Sequence, residues 1–313
     1  MEVSVIVLTY NPKIEKLKYT LNSIAIQKNI EYELIISDDG SDIIEKNKIV
    51  QYIENDLELG NVLYMWNSSN KGTVNNFLDA LYKATGEYVY GISPGDCLYD
   101  EYVLSDFYQF AKNNNVDFCF GRAQSYRVHN NKIELVNYCM PRNPEIFSME
   151  HYYPTFVMTS FFGGQFVIGP EYFRKREPFI YYLSQINEIV KYMEDTSTTY
   201  LYLLDGKKLI FYDRFIVWYE AEGGISTDKN HVLAEKFRMD EERIVQFLVK
   251  KFGYNNSLVK FKWVDSGVLR YVSHPIILLY AVLNKIKMCC VGEKIEKCNL
   301  ENLYLIFNYN KEK

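Results

Sequence analysis

Four polar clusters and one acidic pair carry the chemistry that this sequence can do. Asp96 closes the run Glu87-Tyr88-Val89-Tyr90-Gly91-Ile92-Ser93-Pro94-Gly95-Asp96. The first half of that run is aromatic and β-branched, which suits a buried strand. Ser93-Pro94-Gly95 then breaks it, since proline donates nothing to a sheet ladder. A carboxylate just past the carboxyl end of a central strand is a hard oxygen ligand, suited to a divalent cation that neutralises phosphate charge. Pro-Gly-Asp is equally ordinary turn chemistry, so Asp96 alone leaves both readings standing. Thr9-Tyr10-Asn11, Asp38-Asp39 and Asn70-Lys71-Gly72 are the other clusters, each following an apolar stretch. Glu194-Asp195 opens a helical stretch, where a carboxylate can act as general base toward a hydroxyl. An acidic pair in a first helical turn is also what the macrodipole favours unaided.

The periodicity supplies the scaffold. Residues 3–8 form a continuous apolar run, as in a strand buried on both faces of a parallel sheet. Ile14, Leu17, Leu21, Ile24 and Ala25 recur at helical spacing. Residues 33–37 and 62–66 read as strands, and Phe77, Leu78, Leu81 and Ala84 mark a helix that Gly86 closes. The strand 87–96 follows, then a helix through Val103, Leu104, Phe107 and Ala111, then a strand over 117–122. Strands alternating with helices mean βαβ units and a mostly parallel sheet. Right-handed crossovers bring the polar strand ends to one edge, where open α/β sheets bind ligands. The regularity breaks after residue 122. Short strands and aromatic loop are expected over 123–162, a strand over 166–168 with a short helix after it, and a helix over 183–204 that begins afresh at Met193-Glu194-Asp195-Thr196. Strands over 208–212 and 215–220 lead to a polar loop, 222–227. From residue 228 the chain reads as helical, with a last amphipathic helix over 276–290.

Composition excludes several classes. At 313 residues with 48% hydrophobic and 24% charged residues, the chain can bury a large core. A net charge of −5 without a dense Lys/Arg run argues against nucleic acid as a partner. Residues 229–313 hold 15 Lys and Arg against 9 Asp and Glu, a balance of +6 that leaves −11 for residues 1–228. The apolar run of residues 275–283 is too short to span a bilayer. With Lys285 and Lys287 after it, it suits peripheral membrane contact through 275–290, or packing on the catalytic part or on a second subunit of a homo-oligomer. Six cysteines without Cys-x-x-Cys spacing and an N-terminus that opens on a strand without a signal-peptide pattern suggest a reducing cytoplasm. His129, His151, His231 and His274 form no metal-spaced cluster.

The motifs, in their order, resemble the family-2 type of inverting glycosyltransferases. Val5-Ile6-Val7-Leu8-Thr9-Tyr10-Asn11 is similar to the family's opening strand and its nucleotide-contacting end. Ile36-Ser37-Asp38-Asp39-Gly40-Ser41 resembles the second strand, whose last Asp contacts the base. Asn70-Lys71-Gly72, Asn76-Phe77 and Gly86-Glu87-Tyr88 resemble the donor-side helix leading into the central strand. Asp96 falls where the family places the final Asp of its metal-binding acidic motif, with Pro94 and Gly95 beside it. Phe162-Gly163-Gly164 resembles the acceptor-side segment, Glu194-Asp195 the catalytic-base motif, and Gly223-Gly224-Ile225-Ser226-Thr227 the loop that often closes the domain. One departure stands out: family members carry two or three acids where this chain has Ser93-Pro94-Gly95-Asp96.

The resemblance implies a glycosyltransferase-A fold, α/β with a mostly parallel central sheet flanked by helices and a helical C-terminal appendage. It divides the chain into a catalytic domain, 1–227, and a helical region, 228–313. The catalytic domain has a nucleotide-binding half, 1–122, and an acceptor-binding half, 123–227. It implies a nucleotide-sugar donor, a UDP-sugar, and a saccharide or lipid-linked saccharide acceptor in bacterial surface polysaccharide synthesis. Mn²⁺ or Mg²⁺ would be held by Asp96, with Asp195 as base and Glu194 orienting it or binding acceptor. Thr9, Tyr10, Asn11, Asp38, Asp39, Asn70, Gly72, Asn76, Pro94 and Gly95 would line the donor. A dehydrogenase is disfavoured, because no Gly-x-Gly-x-x-Gly follows the first strand. A two-carboxylate glycosidase using Asp96 and Asp195, and a non-catalytic sugar-nucleotide-binding relative, remain the rivals.

Overall fold

The computed structural model describes all residues except 43–44, 58, 130–131, 142–168, 223–233, 277–278, 280–281, 284–285, 287–299 and 310–313. The expected strand 166–168, Phe162-Gly163-Gly164 and Gly223 to Thr227 lie outside the described residues.

Four parallel strands make the first half of the sheet. β1 (Val3–Thr9) pairs with β2 (Tyr32–Asp38) and with β4 (Tyr88–Ile92), and β2 pairs with β3 (Val62–Trp66). Val5, Ile6 and Val7 are fully buried because helices cover both faces of β1. Each such side chain contributes about 1.5–3 kcal/mol on leaving water. α1 (Ile14–Ala25) covers one face through Leu17, Leu21 and Ile24, and α3 (Thr73–Lys83) covers the other through Val74, Phe77 and Leu81. A helix the periodicity did not reveal, α2 (Lys46–Gln51), runs into a π-helical turn, Tyr52–Asp56, whose Tyr52 and Ile53 join the core.

The second half is mixed. β8 (Tyr172–Lys175) runs antiparallel to β4 and to β6 (Phe118–His129), and β7 (Lys132–Met140) forms a hairpin with β6. β9 (Leu209–Glu220) pairs parallel with β6, and β5 (Cys97–Leu98) pairs antiparallel with β9. The described strands form one sheet in the order β3-β2-β1-β4-β8-β6-β9-β5, with β7 beside β6. α4 (Val103–Asn114) joins β5 to β6, and α5 (Arg176–Ser184) and α6 (Glu194–Leu204) lie between β8 and β9.

Three expectations change. The strand expected over 87–96 stops at Ile92, and Ser93 to Asp96 is a loop before the short β5. The two strands expected over 208–220 are one, β9, which absorbs Asp213 and Arg214 through a register shift against β6. Gly86 does not cap α3, which ends at Lys83. A Cβ on Gly86 would lie 2.6 Å from the Ser4 hydroxyl, so the glycine allows the chain to pass β1 closely.

The C-terminal region begins with α7 (Ala234–Phe252), followed by α8 (Gly267–Ser273) and α9 (Leu300–Asn308). α9 returns to the nucleotide-side half. Phe307 stacks on Tyr19 at 3.7 Å, and the Asn22 amide donates to the Ile306 carbonyl at 2.8 Å. Among the described residues no helix is long and apolar enough to cross a membrane.

Candidate active site

The polar strand ends do meet at one edge. The Thr9 hydroxyl donates to Asp38 Oδ2 at 2.9 Å, and Asp38 also accepts from the Ser41 backbone at 2.9 Å and its hydroxyl at 2.5 Å. Asp38 is 1% exposed, so its carboxylate braces the turn after β2 rather than facing a ligand. Asp39 accepts the backbone N–H groups of Lys71 at 2.8 Å and Gly72 at 2.9 Å, clamping the β3–α3 loop to the β2 turn. Burial pushes the Asp39 carboxyl up, those two N–H groups pull it down, and neighbouring Asp38 raises it again. Tyr10 is 43% exposed and Asn70 is exposed, so both lie open at this edge. Asn11, at φ 46°, donates its N–H to Ser41 Oγ at 2.7 Å.

Asn76 sits elsewhere. It is 1% exposed, its Oδ1 accepts from the Ser37 hydroxyl at 2.6 Å and the Asn67 amide at 2.9 Å, and its own amide donates to the Ser37 carbonyl at 3.0 Å. These bonds pin α3 to β2.

Asp96 is held by its surroundings on three sides. Thr20 of α1 accepts from the Gly95 N–H at 3.0 Å and lies 2.7 Å from the Asp96 carbonyl. Tyr126 of β6 donates to the Gly95 carbonyl. The Asp96 carboxylate itself is 6% exposed, and its Oδ1 accepts the Glu220 N–H at 2.9 Å. Burial pushes the Asp96 pKa up to about 8; the Glu220 charge adds to that, while the Glu220 N–H and the Lys16 ammonium oppose it. Pro94 is partly exposed and Gly95 buried, at φ 106°.

Glu194 and Asp195 open α6. A Cβ on Gly169 would lie 3.7 Å from Glu194 Oε1 and 3.8 Å from Asp195 Oδ2, so both carboxylates face one open spot. Asp195 Oδ1 accepts the Thr196 N–H at 2.6 Å. Burial raises both acids and their mutual repulsion holds Glu194 higher, at about 8. Two like charges this close titrate as a pair.

Contacts also link the acidic pair to the edge where Asp39 lies. A Cβ on Gly72, at φ 89°, would lie 2.7 Å from the Lys191 side chain, and Val74 donates to the Lys191 carbonyl at 2.9 Å. Lys191 and Tyr192 both donate their N–H groups to Asp240 Oδ2 of α7, at 2.7 and 2.8 Å. From the other side, the Tyr90 hydroxyl of β4 donates to the Pro170 carbonyl at 2.5 Å, next to Gly169. These contacts tie the loop held by Asp39, the strand that leads to Asp96, and the segments beside Glu194 and Asp195 to one another.

Sequence reasoning missed Arg174 and the pair Lys16–Glu220. Arg174 is 3% exposed, with its guanidinium 4.1 Å from the Tyr172 ring and 4.4 Å from Phe179. Glu194 and Asp195 are the carboxylates whose charge acts on it, and its Nε and Nη2 have no hydrogen-bond acceptor among the described residues. A basic residue in the strand ahead of an acidic helix start was the available signal. Lys16 and Glu220 form an ion pair beside Asp96. Their signal was a strand ending in acid at the ligand edge. A separate cavity of about 440 Å³, lined by Met1, Ile30, Glu31, Tyr32 and Leu59 among others, opens at the amino-terminal strand ends, away from every group above.

The profile of the family described as "Glycosyl transferase family 2" matches residues 4–179, more than half of the chain. No curated protein matches by sequence. The fold is similar to crystallised S. aureus TarS 1-349, with TM-score 0.57 and 16% identity over 99% of this chain and 81% of that one. It is similar to the same protein in complex with UDP-GlcNAc, with TM-score 0.51 and 18% identity over 100% and 88%. It is also similar to the mannosyltransferase PcManGT from Pyrobaculum calidifontis in complex with GDP-Man and Mn²⁺, with TM-score 0.54 and 17% identity over 94% and 76%. At such identities these likenesses are of fold. The match over residues 4–179 makes the chain a member of glycosyl transferase family 2, a sugar-transferring enzyme.

Proposed function

We propose that this enzyme is an inverting, hexosyl-type transferase that moves a sugar from a UDP-sugar to a hydroxyl of a saccharide or lipid-linked saccharide. The observation that carries the reading is that the elements bearing Asp39, Asp96 and the acidic pair Glu194–Asp195 are tied together by direct contacts, Val74 and Gly72 with Lys191 and Tyr90 with Pro170. The acceptor hydroxyl gives its proton to the Asp195 carboxylate as its oxygen attacks the anomeric carbon. The bond from that carbon to the diphosphate oxygen breaks on the opposite face, and its electron pair leaves with the diphosphate. Arg174 favours the ionised form of Asp195, which a general base requires. Glu194, held more protonated, orients Asp195 or binds the acceptor.

Asp96 fits a divalent cation. Its Oδ2 accepts no hydrogen bond among the described residues, and one carboxylate with diphosphate oxygens and water is the donor set Mg²⁺ or Mn²⁺ takes. When bound, the cation neutralises charge developing on the leaving diphosphate. The fold's likeness to TarS, solved with UDP-GlcNAc, and to PcManGT, solved with GDP-Man and Mn²⁺, supports a nucleotide-sugar donor and a metal. A place at the cytoplasmic face of a bacterial membrane, in surface polysaccharide synthesis, agrees with the basic tail.

A panel of nucleotide-sugars, offered with Mn²⁺ or with excess chelator, tests this. One donor should release its nucleoside diphosphate in Mn²⁺ and stop in chelator. Binding of no donor, or full turnover in chelator, contradicts the reading.

A further inference from the structure

The resemblance places two or three acids where this chain has Ser93-Pro94-Gly95-Asp96, of which Asp96 alone is acidic. The structure puts another carboxylate in that space. A Cβ built on Gly95 would fall against the Glu220 carboxylate, 3.0 Å from its Cδ and 3.4 Å from its Cβ. Any side chain at position 95 would therefore occupy the volume that the Glu220 side chain fills. Glycine is required there twice over, by that contact and by its φ of 106°.

Glu220 arrives at this point from the far side of the sheet. The register Cys97↔Trp218 between β5 and β9 sets the last residue of β9 beside the loop that β5 leaves. The Glu220 backbone donates to Asp96 Oδ1, and Lys16 of α1 pairs with Glu220 Oε1. Asp96 is more than nine-tenths buried, yet its Oδ2 takes no donor among the described residues. Two adjacent carboxylates with an unused oxygen are what a divalent cation, held by few protein ligands and by diphosphate oxygens, requires. The adjacent Lys16 ammonium is a compact charge on a flexible stem, able to move aside.

We infer that Glu220 replaces the missing motif acid and joins Asp96 as the second protein carboxylate toward the divalent cation, with Lys16 as the counter-ion that yields to it. The inference rests on the metal-assisted reading above.

Titrating the full chain with Mn²⁺ in the presence of UDP, and following free Mn²⁺ by electron paramagnetic resonance, tests it without turnover. Glu220→Gln should weaken Mn²⁺ binding at least ~10–100-fold, the scale seen when even supporting groups of metal sites are lost. Glu220→Asp, which keeps the charge, should recover part of that loss. Lys16→Met should bind Mn²⁺ at least as tightly as the parent. A Glu220→Gln chain with unchanged thermal unfolding and parental Mn²⁺ affinity overturns the role of Glu220 and leaves the transferase reading intact. A parent chain that binds UDP but no Mn²⁺ overturns the metal-assisted reading, and this inference with it.

Discussion

Arg174 shows how one residue sets the chemistry of another. A guanidinium enclosed by Tyr172, Phe179 and Phe118 has lost its water, and burial lowers its own pKa. Its positive charge acts on Asp195 and Glu194, and opposes the rise that burial forces on both. An adjacent Arg can lower a carboxyl by ~1–3 pH units. The base must be ionised, so the rate falls as pH drops through the pKa of the pair. Arg174→Met removes the charge and keeps most of the volume. If Asp195 is the base, the acidic limb of kcat should therefore move to higher pH, while Arg174→Lys should leave it near its place. A limb that stays put in Arg174→Met makes the arginine a packing residue only. Residues of this kind are hard to read in a sequence, because Arg174 stands in the basic run Arg174-Lys175-Arg176, and which of the three turns inward is decided by packing. Asp38 and Asp39 were legible as a pair, but which of them faces the edge depends on hydrogen bonds made by Ser41 and Gly72. Asn76 was legible only as a polar helix residue; its bonds to Ser37 of β2 and to Asn67 just past β3 are set by the fold.

Elements with strong periodicity were legible, and those shaped by contact were not. β3 is found where its apolar run predicts, and α6 begins at Glu194, as the acidic first turn suggests. α2 escaped notice because its Lys46-Asn47-Lys48 start is polar and its buried contribution comes one turn later, from Tyr52 and Ile53. β5 is two residues long and exists only because β9 passes beside it. The tail helices carry the clearest open question at this scale. α8 buries none of its residues, with Val268 77% and Val272 70% exposed, and Ile276 beyond it is 66% exposed. Between residues 257 and 287 the sequence has five Lys and Arg and one acid, Asp265. An exposed aliphatic face flanked by cations is the pattern of a helix lying on anionic lipid. The full chain should pellet with phosphatidylglycerol-containing vesicles, and Val272→Glu with Ile276→Glu should abolish this while turnover of soluble substrates persists. Substitution is preferable to truncation, since α9 returns to pack on α1 and belongs to the core. Equal pelleting of the two chains contradicts the membrane reading. A dimer in solution that the double substitution splits would assign the face to a second copy instead.

At the scale of the whole molecule, one sheet joins two halves with different grammar. The first four strands follow the βαβ rule, so their polar ends could be placed at a common edge from the sequence alone. The second half is bound to the first by the pairing of β4 with β8 and held together within itself by that of β6 with β9, long-range pairings which no local pattern announces. The two also meet where a Cβ on Gly72 would fall against Lys191, three residues before α6 begins at Glu194. The proposal therefore makes a joint claim: the donor is bound beside Asp39 and Asp96, and Asp195 takes the acceptor's proton. Asp195→Asn separates them, because it keeps the shape of the side chain and removes the proton acceptor. Measured with the donor found in the panel and its acceptor, kcat should fall about 10²–10⁴-fold, while the dissociation constant of the nucleoside diphosphate stays at the parental value. Parental turnover in Asp195→Asn would contradict the account at its centre.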